Sequence, residues 1–363
     1  MNASPSLRDL AKIANVDVST VSRALHNDPR VSDKRIKEIK GLARRMGYRQ
    51  KPLRSQKTRA IGLLIGTAPS VQQNTIGENF LERVSLMVQQ ELGSRNYHVN
   101  IECVSRKTSA PKLPAFSIEN RIDGVLVLGH PDAKIIELLR TQQRPIVGIN
   151  DSSARIGVPC LLSNPRPAIN EAVRRFSDWG HRRYAPLLNE PDYPTSRARA
   201  ESFKKILDKL DIPCHTIKYS KNKCSLPSEL ENNNNTQAGI ILHGLPEEVA
   251  GGREAVRCLL AGKFPPTALL FCNDWMALGG LFELKANNRS VPDEFSILGH
   301  DDIPFCKDFS PSLSSISRSE HELVKNAVEI LLSSLEGKTV PAEDVLLDGT
   351  ICWRDSTGKL KLK

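Results

Sequence analysis

Apolar residues recur at helical spacing near the start of the chain. Leu7, Leu10, Ala11 and Ala14 fall on one stripe, with Ser6 placed to cap the segment and Asp9 as an acid in its first turn. Asn15 follows, a residue that tolerates the left-handed conformation of a tight turn. Asp17 can cap a second short helix over 18–25, with Val21, Ala24 and Leu25 inside and Val18, Ser19, Ser22 and Arg23 outside. A third helix starts at Ser32, carries Ile36, Ile39, Ala43 and Met46 on one stripe, and meets a terminating glycine at Gly47. Three short helices with a sharp first turn predict a helix-turn-helix.

Beyond residue 60 the pattern changes. Short apolar runs at 61–65, 99–104, 125–128 and 146–149 read as buried strands, with helices at 80–92 and 134–139 between them. The rhythm resumes at 184–188, 240–242, 269–271 and 297–298. Alternation of β and α predicts an α/β body with parallel sheets and helices on both faces. Ligands of such sheets bind beyond the carboxyl ends of the strands, so two facing sheets enclose a cleft between lobes. The tract ENNNNTQ at 231–237 reads as an exposed loop.

Charge separates the two parts. The first 60 residues hold 15 Lys and Arg against 5 Asp and Glu, which is the whole of the chain's net +10. A basic helical head on a neutral body points to nucleic acid. The plainer readings are a solvated basic arm or a three-helix bundle with no DNA role. Against them, the outer face of the second helix offers small or forked side chains that fit a major groove.

Leu7 to Tyr48, LRDLAKIANVDVSTVSRALHNDPRVSDKRIKEIKGLARRMGY, resembles the headpiece of the LacI/GalR family of bacterial transcription regulators almost position by position. The segment STVSRAL and the third-helix pattern VS…R…I…A…GY are the most specific parts. Asn15 replaces the family's turn glycine, Asp17 its capping serine, and His26 an asparagine that would touch backbone phosphate. The likeness continues over the body at RIDGVLVL (121–128), PIVGIN (145–150), SRARAESF (196–203), FCNDWMALGGL (271–281) and VPDEFSILGHDD (291–302).

The resemblance implies a body like a periplasmic sugar-binding protein, with three crossovers between lobes. It divides the chain into a DNA-binding head (1–48), a short basic linker (49–59), a two-lobed effector and dimerisation domain (60–356) and a tail (357–363). One lobe takes 60–161 and 317–340; the other takes 162–316 and the last strand at 345–353. The linker lacks the family's hinge-helix motif, and Leu53 is its one apolar side chain able to wedge a base step.

Function follows as an expectation: a cytoplasmic, nucleoid-associated repressor, binding palindromic operator DNA as a homodimer and controlled by a small effector, most readily a sugar, with nucleobases as a second class. The head is expected to contact DNA through Leu7, Val18, Ser19, Thr20, Ser22, Arg23, His26, Ser32, Tyr48 and Leu53. Val18, Ser19 and Arg23 would read bases, and Thr20 and Ser22 phosphates. Arg199, Asn273 and Asp301 match the family's effector positions; Asn150, Asp274, Trp275 and Phe80 are weaker candidates. An Arg, an Asn and an Asp together donate and accept in fixed geometry, which suits hydroxyl arrays. His300 stands where the family usually has an aromatic.

The rivals are a solute-binding protein without a DNA role and an enzyme on an α/β body. No apolar leader, membrane-length run, phosphate loop, H-E-x-x-H or G-x-S-x-G supports either, and no cofactor is expected. The 8 cysteines show no C-x-x-C spacing and read as free thiols.

Overall fold

A computed structural model describes residues 7–25, 28, 30–46, 58–67, 80–118, 121–189, 194–220, 237–246 and 248–361. His26, Tyr48 and Leu53, most of the linker and most of the Asn-rich tract lie outside them. The chain divides into two compact units, Met1–Lys57 and Thr58–Lys363.

The first unit contains α1 (Leu7–Ala14), α2 (Val18–Leu25) and α3 (Asp33–Arg45). The expected stripes converge: Leu10, Ala11, Val21, Ala24, Ile39 and Ala43 form its core. Leu7 packs half-buried against that core, so its side chain is committed to the head's interior. Asn15 is left-handed, with φ of 47°, and closes α1 as the sequence predicts.

The second unit carries two sheets. The first contains β1 (Ala60–Thr67), β2 (His98–Ser105), β3 (Gly124–Gly129), β4 (Ile146–Ile149), β5 (Cys160–Asn164) and β12 (Val345–Asp348), all parallel, in the order β12-β5-β4-β3-β1-β2. On one face α4 (Phe80–Ser94) and α12 (Glu320–Leu335) bury Val84, Val88, Val324 and Val328. On the other, Phe116, Ile135, Ile136 and Leu139 come from α5 (Ala115–Ile118) and α6 (Ala133–Arg140). The four-residue α7 (Ser153–Ile156) follows β4.

The second sheet contains β6 (Arg183–Leu187), β7 (Cys214–Lys218), β8 (Ala238–His243), β9 (Ala268–Phe271), β10 (Ser296–His300), β11 (Ser314–Ser317) and β13 (Thr350–Cys352). Its order is β13-β11-β10-β9-β6-β8-β7, with β13 alone antiparallel. It packs with α8 (Arg166–Asp178), α9 (Pro194–Lys209), α10 (Glu248–Leu260) and α11 (Asp274–Ala286) into one core.

The chain passes between sheets three times: between β5 and α8, at Arg318–Ser319, and at Gly349. This corrects the expected lobe boundaries. All of β5 belongs to the first sheet, and the 345–353 segment is divided, its first half pairing with β5 and its second with β11. The crossovers lie side by side, since Gly349 N donates to Asn164 O at 3.0 Å and Asn164 Nδ2 to Asp348 Oδ1 at 2.7 Å.

Helices α10 and α11 meet through glycine. A Cβ on Gly252 would stand 1.8 Å from Met276 O, and one on Gly279 2.0 Å from Val249 O. Both obstacles are backbone, which has no rotamer to yield. Gly252→Ala is expected to lower stability by about 1–3 kcal/mol, read as a fall in the urea midpoint.

Cys103, Cys160, Cys214, Cys272, Cys306 and Cys352 are free thiols, whereas Cys258 is disulfide-bonded, which departs from the all-thiol expectation. Among the described residues no helix is long and apolar enough to cross a membrane, and no cluster of His, Cys, Asp and Glu is arranged to hold a metal.

Candidate functional site

In the head, the turn after α1 sets the outward face of α2. Asn15 N and Val16 N donate back to Lys12 O and Ala11 O, and Asp17 O receives Thr20 N and Val21 N to begin α2. Val21 and Ala24 are fully buried, which turns the opposite side of the helix outward. Val18 is 43% exposed, and Ser19 and Arg23 are exposed beside it. Thr20 and Ser22 are half-buried at the flanks. Ser32 is exposed at the start of α3, its carbonyl accepting from Ile36 N.

In the body, a cleft of about 490 Å³ opens between the lobes next to the crossovers. Asn150, Ser152, Leu162 and Asn164 line it from the first sheet's side, Arg199 and His300 from the second, and Arg318 from the crossover itself. Asn150 closes β4 in a left-handed conformation, φ 65°. Arg199 comes from α9, is 7% exposed, and donates through Nη1 to Cys272 O at 2.7 Å.

The turn after β10 carries two successive positive φ values, 106° at Asp301 and 50° at Asp302. Asp301 N donates to Ile316 O and Asp302 N to Ser315 Oγ, which hold this strained turn in place. The Asp301 carboxylate thereby meets Arg318 Nε at 2.5 Å and His300 Nδ1 at 3.1 Å. The Arg318 guanidinium also lies over the Phe80 ring, 4.5 Å from its centroid. One side chain at a crossover thus touches both lobes, Asp301 in one and Phe80 in the other.

Burial and charge tune these groups. Burial alone would raise the Asp301 pKa, but Arg318 and His300 outweigh it and hold the carboxylate ionised. His300 is pushed down to about 3 by burial and by the charges of Arg199 and Arg318, so its ring is neutral. Burial and the neighbouring Arg318 press Arg199 down to about 10, still protonated at neutral pH. Asp274 is raised by burial and by Asp301.

Sequence comparison places this architecture. A family model described as a periplasmic binding protein-like domain matches residues 173–357. The model for bacterial regulatory proteins, lacI family, matches residues 6–51. The chain belongs to the LacI family. It is similar to the probable HTH-type transcriptional repressor ExuR of Bacillus subtilis (strain 168), 27% identical over 361 residues, 98% of this chain and 99% of that protein. Among solved structures it is similar to the transcriptional regulator CelR–cellobiose complex, with a TM-score of 0.63 and 20% identity over 97% of this chain and 99% of that one. It is also similar to the lac repressor dimer bound to operator and the anti-inducer ONPF, with a TM-score of 0.64 and 18% identity over 98% and 99%.

Within this LacI-family chain, the structure places Asn150 and Arg199 on the cleft wall with Arg318, and sets Asp301 and Phe80 against Arg318 rather than on that wall. It does not bring the other three effector candidates to the cleft wall. Asn273 caps α11, its Oδ1 accepting from Met276 N at 2.7 Å. Asp274 is fully buried and accepts from Ser315 Oγ at 2.6 Å and Ile303 N at 2.9 Å. Trp275 is half-buried, its ring 6.4 Å from that of Phe305. Capping and core packing account for these residues. Arg318, absent from the sequence-based set, is the residue on which the cluster turns. Its one sequence signal is a cation two residues after Ile316, where the chain changes lobes.

Proposed function

We propose that the chain is a transcriptional repressor of the LacI family that binds a palindromic operator as a homodimer and is switched by a small sugar-like effector in the interlobe cleft. The observation that carries this reading is the joining, in one chain, of a head whose second helix turns Val18, Ser19 and Arg23 outward to a body whose cleft sits against its three crossovers. One head reads only a half-site, which calls for a second copy. Exposed Leu86 on α4, Phe282 on α11 and Phe305 in the 3-10 turn at Pro304–Lys307 give both lobes apolar surface for such a pairing. The relatives' names fit: ExuR is named a repressor, the CelR structure holds cellobiose, and the lac repressor dimer is bound to operator. Such a protein works in the bacterial cytoplasm, on the nucleoid.

In this reading Val18 packs on a thymine methyl, Arg23 forks onto a guanine, and Thr20, Ser22 and Ser32 contact phosphates. His26, Tyr48 and Leu53, also candidates for DNA contact, lie outside the described residues. In the body Arg199 and Asn150 face the effector directly, and Asp301 and Phe80 act by orienting Arg318. Closure of the lobes around the ligand changes the geometry at the crossovers and hence the spacing of the two heads.

The test is a gel shift with DNA recovered by binding-site selection, in the presence and absence of candidate sugars. A retarded band that responds to one sugar is expected; failure to shift any selected DNA overturns the proposal. Arg23→Ala is expected to weaken operator binding by about 1–3 kcal/mol and to relax preference at one base pair, read by titration and repeat selection.

A further inference from the structure

The cleft is strongly cationic. Arg155, Arg166, Arg197, Arg199, Lys205 and Arg318 line it, against Glu201 as the one carboxylate among its lining residues. Two of the six are neutralised from behind, Arg155 by the buried Asp151 and Arg318 by Asp301. Arg199 is not. It makes its one hydrogen bond to a backbone carbonyl, and it forms no ion pair among the described residues. A guanidinium carries about five N–H donors, so most of those on this buried group stay open at the cleft wall. Arg318 lies close enough to repel it.

The backbone adds potential of the same sign. Helices α8 and α9 both begin at the cleft, where Pro165, Arg166, Pro194 and Thr195 line it. At α8 Asn164 Oδ1 accepts from Arg166 N and Pro167 has no N–H, so that terminus contributes chiefly the positive end of its dipole. Helix N-termini present open N–H groups and the positive end of the helix dipole.

We propose that the effector is an anion: a small polyhydroxylated molecule bearing a carboxylate or a phosphate, which seats on Arg199 and Arg318 with Arg197 and Lys205 at the rim. This rests on the reading of the cleft as the effector site and narrows it. A neutral sugar closing the lobes would leave Arg199 and Arg318 both desolvated against the one Asp301 carboxylate, which is already paired with Arg318. A carboxylate or phosphate accepts the planar Arg199 fork in bidentate geometry and supplies the missing negative charge.

The test uses the full chain, with thermal unfolding of the body followed at constant ionic strength. Inorganic phosphate is expected to raise the melting temperature above that in chloride. D-glucuronate and D-glucose 6-phosphate, compared with D-glucose, separate the carboxylate from the phosphate form. Arg199→Gln is expected to weaken phosphate protection about tenfold to a hundredfold, the range of charge-assisted hydrogen bonds. The exposed pair Arg197→Gln/Lys205→Gln leaves the fold intact and is expected to weaken it several-fold. Equal melting in phosphate and chloride overturns the proposal, and so does protection unchanged in both variants, which would mean an adventitious ion only. If D-glucose or another neutral sugar alters operator binding while phosphate gives no protection, the anion inference fails and the effector-controlled repressor stands. If the chain binds no selected DNA, that reading fails whatever phosphate does to the melting curve.

Discussion

Asp301→Ala is expected to destabilise the body by about 3–5 kcal/mol, the cost of leaving one member of a buried ion pair without its partner. The Asp301 and Arg318 side chains are 10% and 9% exposed, and the carboxylate is the ion-pair partner of Arg318. Removing it leaves Arg318 and Arg199 facing each other across a cluster in which His300 stays neutral. From sequence alone, the same substitution reads as a loss of effector response with DNA binding unchanged. The structure alters that expectation: the lost response should come with a lower urea midpoint. Urea unfolding of the full chain checks the effect, and a midpoint equal to that of the parent refutes it. Asp301→Ala/Arg318→Met should recover much of the loss, because the second change removes the stranded charge.

Mild acid is expected to weaken the body before ordinary carboxylates titrate. His181 is fully buried between Thr267, Ser296 and Gly358, and burial pushes it down to about 4. His300 is pushed down to about 3, and His130 is lowered too, chiefly by burial. A base with a depressed folded pKa is protonated first in the unfolded chain. Its contribution is therefore whole above the unfolded value of 6.5 and is lost as pH falls below it. Asp274 has the opposite sign: its raised pKa makes the folded form take up a proton first, which stabilises as pH falls. His181 and His300 against one carboxyl leave a net of one proton, worth about 1.4 kcal/mol per pH unit, and His130 adds to the loss in the same direction. Stability should fall by about 3 kcal/mol between pH 6.5 and 4. Urea midpoints across that range test it, and a flat profile refutes it.

The central strands were legible because both of their faces are buried. β1 reads AIGLLIGT and is buried along almost its whole length, so its apolar run needs no partner to be recognised. β11 reads SSIS and was invisible. Its serines are buried but satisfied from far along the chain: Ser314 bonds Arg354, Ser356 and Thr357, and Ser315 bonds Asp274. Local pattern carries no trace of such partners. The 345–353 run looked like one strand because the switch of sheets costs a single residue, Gly349. At the cleft, resemblance singles out Arg199, which lines it, and Asp301, which pairs with Arg318 beside it. Resemblance also singles out Asn273 and Asp274, whose polar atoms the structure engages in a helix cap and in bonds to Ser315 and Ile303, uses of the same atoms that would grip a hydroxyl. Arg318 escaped because its importance comes from where three crossovers meet, which no single segment encodes.

The interleaving of the lobes also fixes the order in which a growing polypeptide can mature. Leu323, Val324, Ala327, Val328 and Leu331 of α12 complete the core of the first lobe, and β12 supplies its outer strand. Both emerge only after nearly all of the second lobe has been made. The head has its own core and is available from the first moments of synthesis. A ribosome that stops between residues 300 and 320 therefore releases a head attached to two unfinished lobes, with the Arg318 crossover absent or unanchored. Premature termination near the last eighth of the message removes the sensor and leaves the reader of DNA behind.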